Sequence, residues 1–89
     1  MAPCRVKLDG VDNKPMVKGL PKPKLRRSAY QVVEALVNVW PNGKSKGDLE
    51  EISSGFWQIL DRLRDSDSDW SEVIHFPGPG GAWKGYRIG

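Results

Sequence analysis

Cysteine, histidine and long apolar runs are scarce in this chain of 89 residues. Cys4 is its only cysteine, so no internal disulfide can form and nothing points to secretion. His75 is its only histidine, so the usual cysteine–histidine metal site cannot be assembled. No apolar run approaches the roughly 18 residues that a membrane span needs, and residues 1–5 lack the apolar stretch of a signal peptide. We therefore expect a cytoplasmic protein with no metal site and no membrane partner.

The motifs that would indicate an enzyme are also missing. A nucleophile–base pair would have to use His75, and no catalytic motif surrounds any serine. Residues 65–69 resemble the start of a calcium loop, but Trp70 occupies the position that requires glycine. We expect a solvated turn there instead. The glycines of residues 78–81 precede Lys84 and a further glycine, which reverses the Gly-Lys order of a phosphate-binding loop. We expect no catalysis, no cofactor and no small-molecule substrate.

Acids are rare in the first half of the chain. Residues 1–47 carry ten Lys or Arg against three acids, and residues 48–89 carry four against eight, which gives the net charge of +3. A basic half favours binding to phosphate, and the acidic half must then be kept away from that phosphate.

Residues 1–27 are rich in proline, glycine and lysine. Alternation of polar and apolar residues predicts short strands at 5–8 and 16–18, although the first dozen residues fit disorder equally well. Residues 20–25 are expected to be an extended linker, because prolines disfavour helical geometry in the residues before them. We therefore divide the chain into an N-terminal extension, 1–19, with short strands or partial disorder, and a domain at 20–89.

The first predicted helix starts at Ser28. Residues 28–31 have the form of a capping box, in which the serine hydroxyl and a glutamine amide satisfy free backbone donors. Pro41 ends the helix by disfavouring helical geometry at Trp40. The apolar face of this helix is wide, and Trp40 is expected to belong to it and to the core.

Two more helices and a hairpin complete the predicted order. The second helix follows a cap at Ser45 and ends at the break of residues 53–55. The third runs from about residue 56 to residue 64 with one apolar face. Residues 73–76 and 83–88 are strand-like and flank a loop rich in proline and glycine. We therefore predict an α+β winged helix-turn-helix: three helices, a C-terminal β-hairpin wing and a short N-terminal β-segment.

The end of the chain carries a family resemblance. Residues 73–78 (Val-Ile-His-Phe-Pro-Gly) followed by residues 85–88 (Gly-Tyr-Arg-Ile) resemble the wing of response-regulator effector domains of the OmpR type. Residues 59–64 resemble the end of that family's recognition helix, and the chain is also similar to small uncharacterised bacterial winged-helix proteins. The resemblance spans roughly residues 20–89. It implies DNA binding, with the third helix in the major groove and the hairpin against the minor groove or backbone.

The resemblance has two departures. No receiver domain lies within these residues, so phosphorylation-controlled signalling is not implied. The predicted exposed face of the third helix consists of Gln58, Asp61, Arg62 and Asp65, and carboxylates are repelled by phosphate. Sequence-specific reading by this helix is therefore disfavoured, and we expect a footprint directed mainly at the backbone of duplex DNA.

The predicted DNA-binding residues are basic or polar and belong to four segments. Those before the first helix and around the second cap are expected to hold phosphate, helped by the positive end of the second helix, while the third helix approaches bases and the wing adds cations. The set comprises Lys22, Lys24, Arg26, Arg27, Lys44, Ser45, Lys46, Gln58, Arg62, Lys84 and Arg87.

A protein-interaction module on the same fold is the alternative. The acidic face of the third helix, with Trp57 or Trp83, would then meet a basic or aromatic-accepting partner or a second copy of the chain. Trp83 fits equally well a position folded back on the hairpin. The two hypotheses are thus DNA binding in transcription regulation and protein binding.

Overall fold

A computed structural model describes residues 4–40, 42–77 and 85–88. Within them, three short strands precede four helices, and two more strands follow. The elements are β1 (Val6–Lys7), β2 (Met16–Val17), β3 (Leu20–Pro21), α1 (Arg27–Val39), α2 (Lys46–Ile52), α3 (Phe56–Ser66), α4 (Ser68–Val73), β4 (Ile74–His75) and β5 (Arg87–Ile88). The predicted α+β class is confirmed.

The first three strands form an antiparallel sheet in the order β1-β2-β3. Lys18 and Gly19 turn the chain between β2 and β3 with φ values of 55° and 81°, the positive values that a tight two-residue hairpin requires. Val6 pairs with Val17, and both side chains are buried in the hydrophobic core that the helices also form. Residues 20–25 were expected to be an extended linker; residues 20–21 are extended, and as β3 they also pair with β2.

Helix α1 begins one residue before its predicted start. Its N-cap is Arg26, whose side chain forms no capping hydrogen bond, so the capping box at Ser28 is wrong. Arg26 has extended backbone geometry and the helix continues directly from it, which places Ser28 inside the first turn. The helix ends at Val39, as Pro41 predicts. Trp40 is only partly buried, because its non-helical backbone takes it off the apolar face of α1; its predicted place in the core is wrong.

Helices α2 and α3 follow their predicted patterns. The Ser45 hydroxyl accepts a hydrogen bond from the Asp48 N–H at 3.3 Å, so the predicted cap of α2 is confirmed. Leu49 is buried on the inner side of α2. Helix α3 continues two residues beyond its predicted end and buries Phe56 and Leu60.

Helix α4 is an addition to the three predicted helices. Asp67 caps it by accepting a hydrogen bond from the Asp69 N–H at 2.8 Å. Trp70 and Val73, three residues apart, are buried on one side. The solvated turn expected at residues 65–69 is therefore wrong: α3 continues to Ser66, and the residues that follow cap and begin α4. The predicted strand at residue 73 begins only at Ile74.

Strands β4 and β5 pair antiparallel, with Ile74 opposite Ile88 and His75 opposite Arg87. Both isoleucines are buried in the core, where they join the apolar faces of α1, α3 and α4. Helix α1 packs against α2, α3 and β5, so it is the central element of the described fold.

Candidate nucleic-acid interface

A backbone bridge joins the loop before α2 to the residue before β5. The Lys44 N–H donates to the Tyr86 carbonyl at 2.8 Å, and the Tyr86 N–H donates to the Lys44 carbonyl at 2.9 Å. The two segments approach so closely that a Cβ atom on Gly43 would lie 2.5 Å from the Tyr86 carbonyl oxygen. A Cβ atom on Gly85 would lie 2.6 Å from the Lys44 oxygen. Glycine is therefore required on both sides of the bridge.

The bridge brings basic residues from two parts of the sequence together. Lys44 and Lys46 belong to the segment that leads into α2, and Arg87 is the first residue of β5. A Cβ atom on Gly43 would lie 3.1 Å from the Arg87 Cβ atom, so this arginine is adjacent to the segment. Lys46 is 72% exposed and lies 3.7 Å from Glu50. An ion pair this exposed is weak and leaves the lysine available to an external anion.

The hydroxyl of Ser45, a predicted phosphate contact, is used within the protein. It caps α2 through the Asp48 N–H, and the Asp48 carboxylate occupies the first turn of the same helix. Both features compensate the positive end of α2. The basic side chains around Ser45, rather than the helix end itself, are therefore what this segment offers to phosphate.

A second basic segment leads into α1. Lys24, Arg26 and Arg27 are exposed there, as predicted. Helix α1 packs against α2, which follows Lys44, and against β5, which begins at Arg87. One basic segment therefore leads into the N-terminal end of this central helix, and the other follows its C-terminal end.

Lys22 differs from its basic neighbours because it binds carboxylates of the protein itself. Its Nζ atom lies 2.9 Å from Asp67 and 2.6 Å from Asp69, and its side chain is only 11% exposed. The hydrogen bonds to Asp69 and Asp67 raise the pKa of Lys22 above its usual value. The structure thus places this predicted phosphate contact in an internal ion pair.

Lys18 extends the same network of ion pairs. It pairs with Glu72 and lies 3.4 Å from Asp69. The hydrogen bond from Lys22 is the main cause that lowers the pKa values of Asp67 and Asp69 below the usual range for aspartate. Two lysines of the basic half therefore offset three acids of the acidic half.

The outer face of α3 is as the sequence predicts. Gln58, Asp61, Arg62 and Asp65 are all exposed. Trp57 is 48% exposed at the margin of this face. Charges of both signs thus alternate on the helix that the resemblance assigns to the major groove.

An aromatic cluster connects α3 to the hairpin. The Phe76 ring lies 5.9 Å from Trp57 and 5.3 Å from Tyr86, and Tyr86 lies 5.1 Å from Phe56. The guanidinium carbon of Arg64 lies 4.5 Å from the centre of the Phe76 ring. Sequence reasoning missed this cluster, although Phe76 and Tyr86 both stand in predicted strands. Trp83 and Lys84 of the predicted wing lie outside the described residues.

The described part of the chain also bears on metal binding and on membrane insertion. No group of three or more His, Cys, Asp or Glu there is placed to hold a metal ion. None of its helices is long and apolar enough to cross a membrane. Three comparisons with known proteins gave no match: no family model, no curated protein and no solved structure is similar to this chain.

Proposed function

We propose that this chain is a winged-helix domain that binds duplex DNA, mainly through the phosphate backbone, in a regulatory role. The observation that carries the proposal is the Lys44–Tyr86 bridge. It adds the segment before α2 to the β4–β5 pair, which supports a winged helix in which α4 is an additional element between α3 and β4. It also gathers basic residues that are distant in sequence.

The distribution of charge supports backbone contacts. Lys44 and Lys46 on one segment, and Lys24, Arg26 and Arg27 on the other, belong to or precede elements that pack together. Such cations bind phosphate in every sequence context, because the phosphate is the same at each step of the duplex. The internal ion pairs of Lys18 and Lys22 also support the proposal, because they offset acids that would otherwise repel DNA.

The α3 side chains contribute less in this proposal than in typical winged helices. Gln58 and Arg62 remain the candidates for contact with bases, from the side of the helix away from Trp57. Asp61 and Asp65, on the Trp57 side of the same outer face, oppose deep insertion into a groove, since each carboxylate would approach phosphate. The proposed binding is therefore salt-dependent and has limited sequence preference.

The proposal is tested by fluorescence anisotropy of a labelled random duplex at several salt concentrations. We expect Kd values in the range of about 1–100 μM, typical of non-specific binding. The double variant Lys44→Ala with Lys46→Ala should weaken binding about tenfold on every duplex. It should also lower the slope of log K against log salt by about 2, roughly one unit for each lost phosphate contact.

A matched control removes the same charge elsewhere. Lys7 and Lys14 are exposed in the N-terminal sheet and its first loop. The variant Lys7→Ala with Lys14→Ala should keep affinity within about twofold, because only general attraction is lost. Equal losses in the two double variants would contradict the footprint, and no binding at low salt would contradict the proposed function.

A further inference from the structure

The margin of the α3 face carries a tryptophan and two carboxylates in a row. Trp57, Asp61 and Asp65 follow at intervals of four residues, so they form one stripe along about 12 Å of helix. All three side chains are exposed. We call this set the α3 stripe.

The carboxylates of the α3 stripe have no ion-pair partner in the described part of the protein. No described cation forms an ion pair with Asp61 or Asp65, in contrast to the acids of α4. Arg64 is close in sequence, but its guanidinium stacks on the Phe76 ring. Asp61, Arg64 and Asp65 line a shallow pocket of about 220 Å³ together with Ser71 of α4.

Trp57 is held in place before any partner arrives. Its ring lies 5.9 Å from that of Phe76, which in turn contacts Tyr86. The indole therefore has less freedom to lose on binding than an isolated surface side chain. Tryptophan is also the side chain whose face binds ammonium and guanidinium groups best.

We infer that the α3 stripe docks a basic segment of a partner protein, with arginine or lysine side chains over Trp57 and beside the two aspartates. Charge complementarity selects this occupant: the carboxylates attract cations and repel the phosphates of nucleic acid. The inference goes beyond the proposed DNA binding and does not depend on it.

The experiment uses the full chain and a fluorescein-labelled, alanine-based helical peptide with arginine at every fourth position. A matched peptide carries citrulline in place of each arginine, which removes the charge and keeps the shape. We expect the arginine peptide to bind with a Kd on the order of 10–100 μM and to shift the Trp57 indole N–H signal in ¹⁵N NMR. The citrulline peptide should leave that signal in place.

Two double variants separate the stripe from general charge. Asp61→Asn with Asp65→Asn should weaken peptide binding about fivefold, as expected for two exposed or half-exposed ion pairs. Asp9→Asn with Asp12→Asn removes equal charge from the exposed loop after β1 and should change affinity by less than about twofold. The single variant Trp57→Ala should also weaken binding, and NMR spectra check that each variant remains folded.

Three outcomes would overturn the inference. Equal weakening of peptide binding by the two aspartate double variants would mean that net charge alone, rather than the α3 stripe, attracts the peptide. Undetectable binding of the arginine peptide would remove the docking surface. A shift of the Trp57 indole signal by duplex DNA, with tighter DNA binding in the Asp61→Asn, Asp65→Asn variant, would assign α3 to nucleic acid instead.

Discussion

Lys18 and Lys22 in the N-terminal sheet differ from Lys44 and Lys46 beside α2 in what faces them. The first two meet the carboxylates that begin and line α4. Lys44 forms the bridge through its backbone atoms, and the exposed Lys46 side chain lies 3.7 Å from Glu50. The excess of positive charge in the first half of the sequence therefore overstates the surface that is available to DNA.

The two regions are also held together by different forces. Ion pairs supplement the apolar packing of the N-terminal sheet on α4, so part of this contact depends on pH and salt. Two backbone hydrogen bonds and close glycine contacts join the α2 segment to the residue before β5. This second contact is insensitive to pH but intolerant of any side chain at Gly43 or Gly85.

The largest expected effect on stability comes from Gly85→Ala, which disrupts the Lys44–Tyr86 bridge. The added Cβ would lie 2.6 Å from the Lys44 carbonyl oxygen and 3.0 Å from its carbon, so backbone must move. We expect a loss of about 1–3 kcal/mol in the free energy of unfolding, typical of overpacking in a close-packed site. Urea denaturation followed by circular dichroism measures it.

Gly47→Ala is the matched control for that variant. Gly47 lies in the first turn of α2, where an added Cβ meets only the Ser45 hydroxyl at 4.0 Å. Alanine at this position should stabilise the fold by about 0.5–1 kcal/mol, because it loses less backbone entropy in a helix than glycine. Similar destabilisation by both variants would show that the bridge has no special role.

The next effect distinguishes the two sets of lysines. Lys22→Ala should lower the Tm by several degrees and change the affinity of the folded protein for DNA by less than about twofold, since Lys22 faces Asp67 and Asp69 and only general attraction is lost. Lys24→Ala, two residues further on, should leave the Tm unchanged, because Lys24 is exposed. Thermal denaturation and anisotropy on both variants check the pair. A loss of DNA affinity with Lys22→Ala would place this lysine in the footprint.

Low pH provides a second test of the Lys22 ion pairs, again through the Tm. The pKa values of Asp67 and Asp69 lie below the usual 3.8, so the pairs with Lys22 stabilise the fold above about pH 4 and lose this contribution as pH falls through the lowered values. The difference in Tm between the native chain and Lys22→Ala should therefore narrow in strong acid. A constant difference down to pH 2 would mean that packing of the lysine stem, rather than its charge, holds the sheet to α4.

Local signals in the sequence predicted the helices well where a cap and an apolar period agreed. Ser45 and the break after Ile52 defined α2, and the period from Phe56 to Leu63 defined α3. Helix α4 was missed because its six residues are too few for a period, and aspartates and serines favour turns as much as caps. The burial of Trp70 and Val73 on one side favours the helix over the turn.

The site was harder to predict because it depends on long-range contacts. The exposure of the α3 residues followed from helical geometry alone. Nothing local to Lys22 shows that it meets Asp67 and Asp69, some forty-five residues away. The Lys44–Tyr86 bridge likewise joins distant segments, and only the glycines beside each residue hinted at a close approach.

The smallest expected effect concerns α3 and asks whether its exposed arginine acts like the lysines beside α2. Arg62→Ala should weaken binding to a random duplex by less than about threefold, because Asp61 and Asp65 on the same face oppose a close approach to phosphate. Anisotropy at low salt measures it against Lys44→Ala with Lys46→Ala. A loss above about tenfold that differs between duplex sequences would mean that Arg62 reads bases, and α3 would then enter the groove in spite of its aspartates.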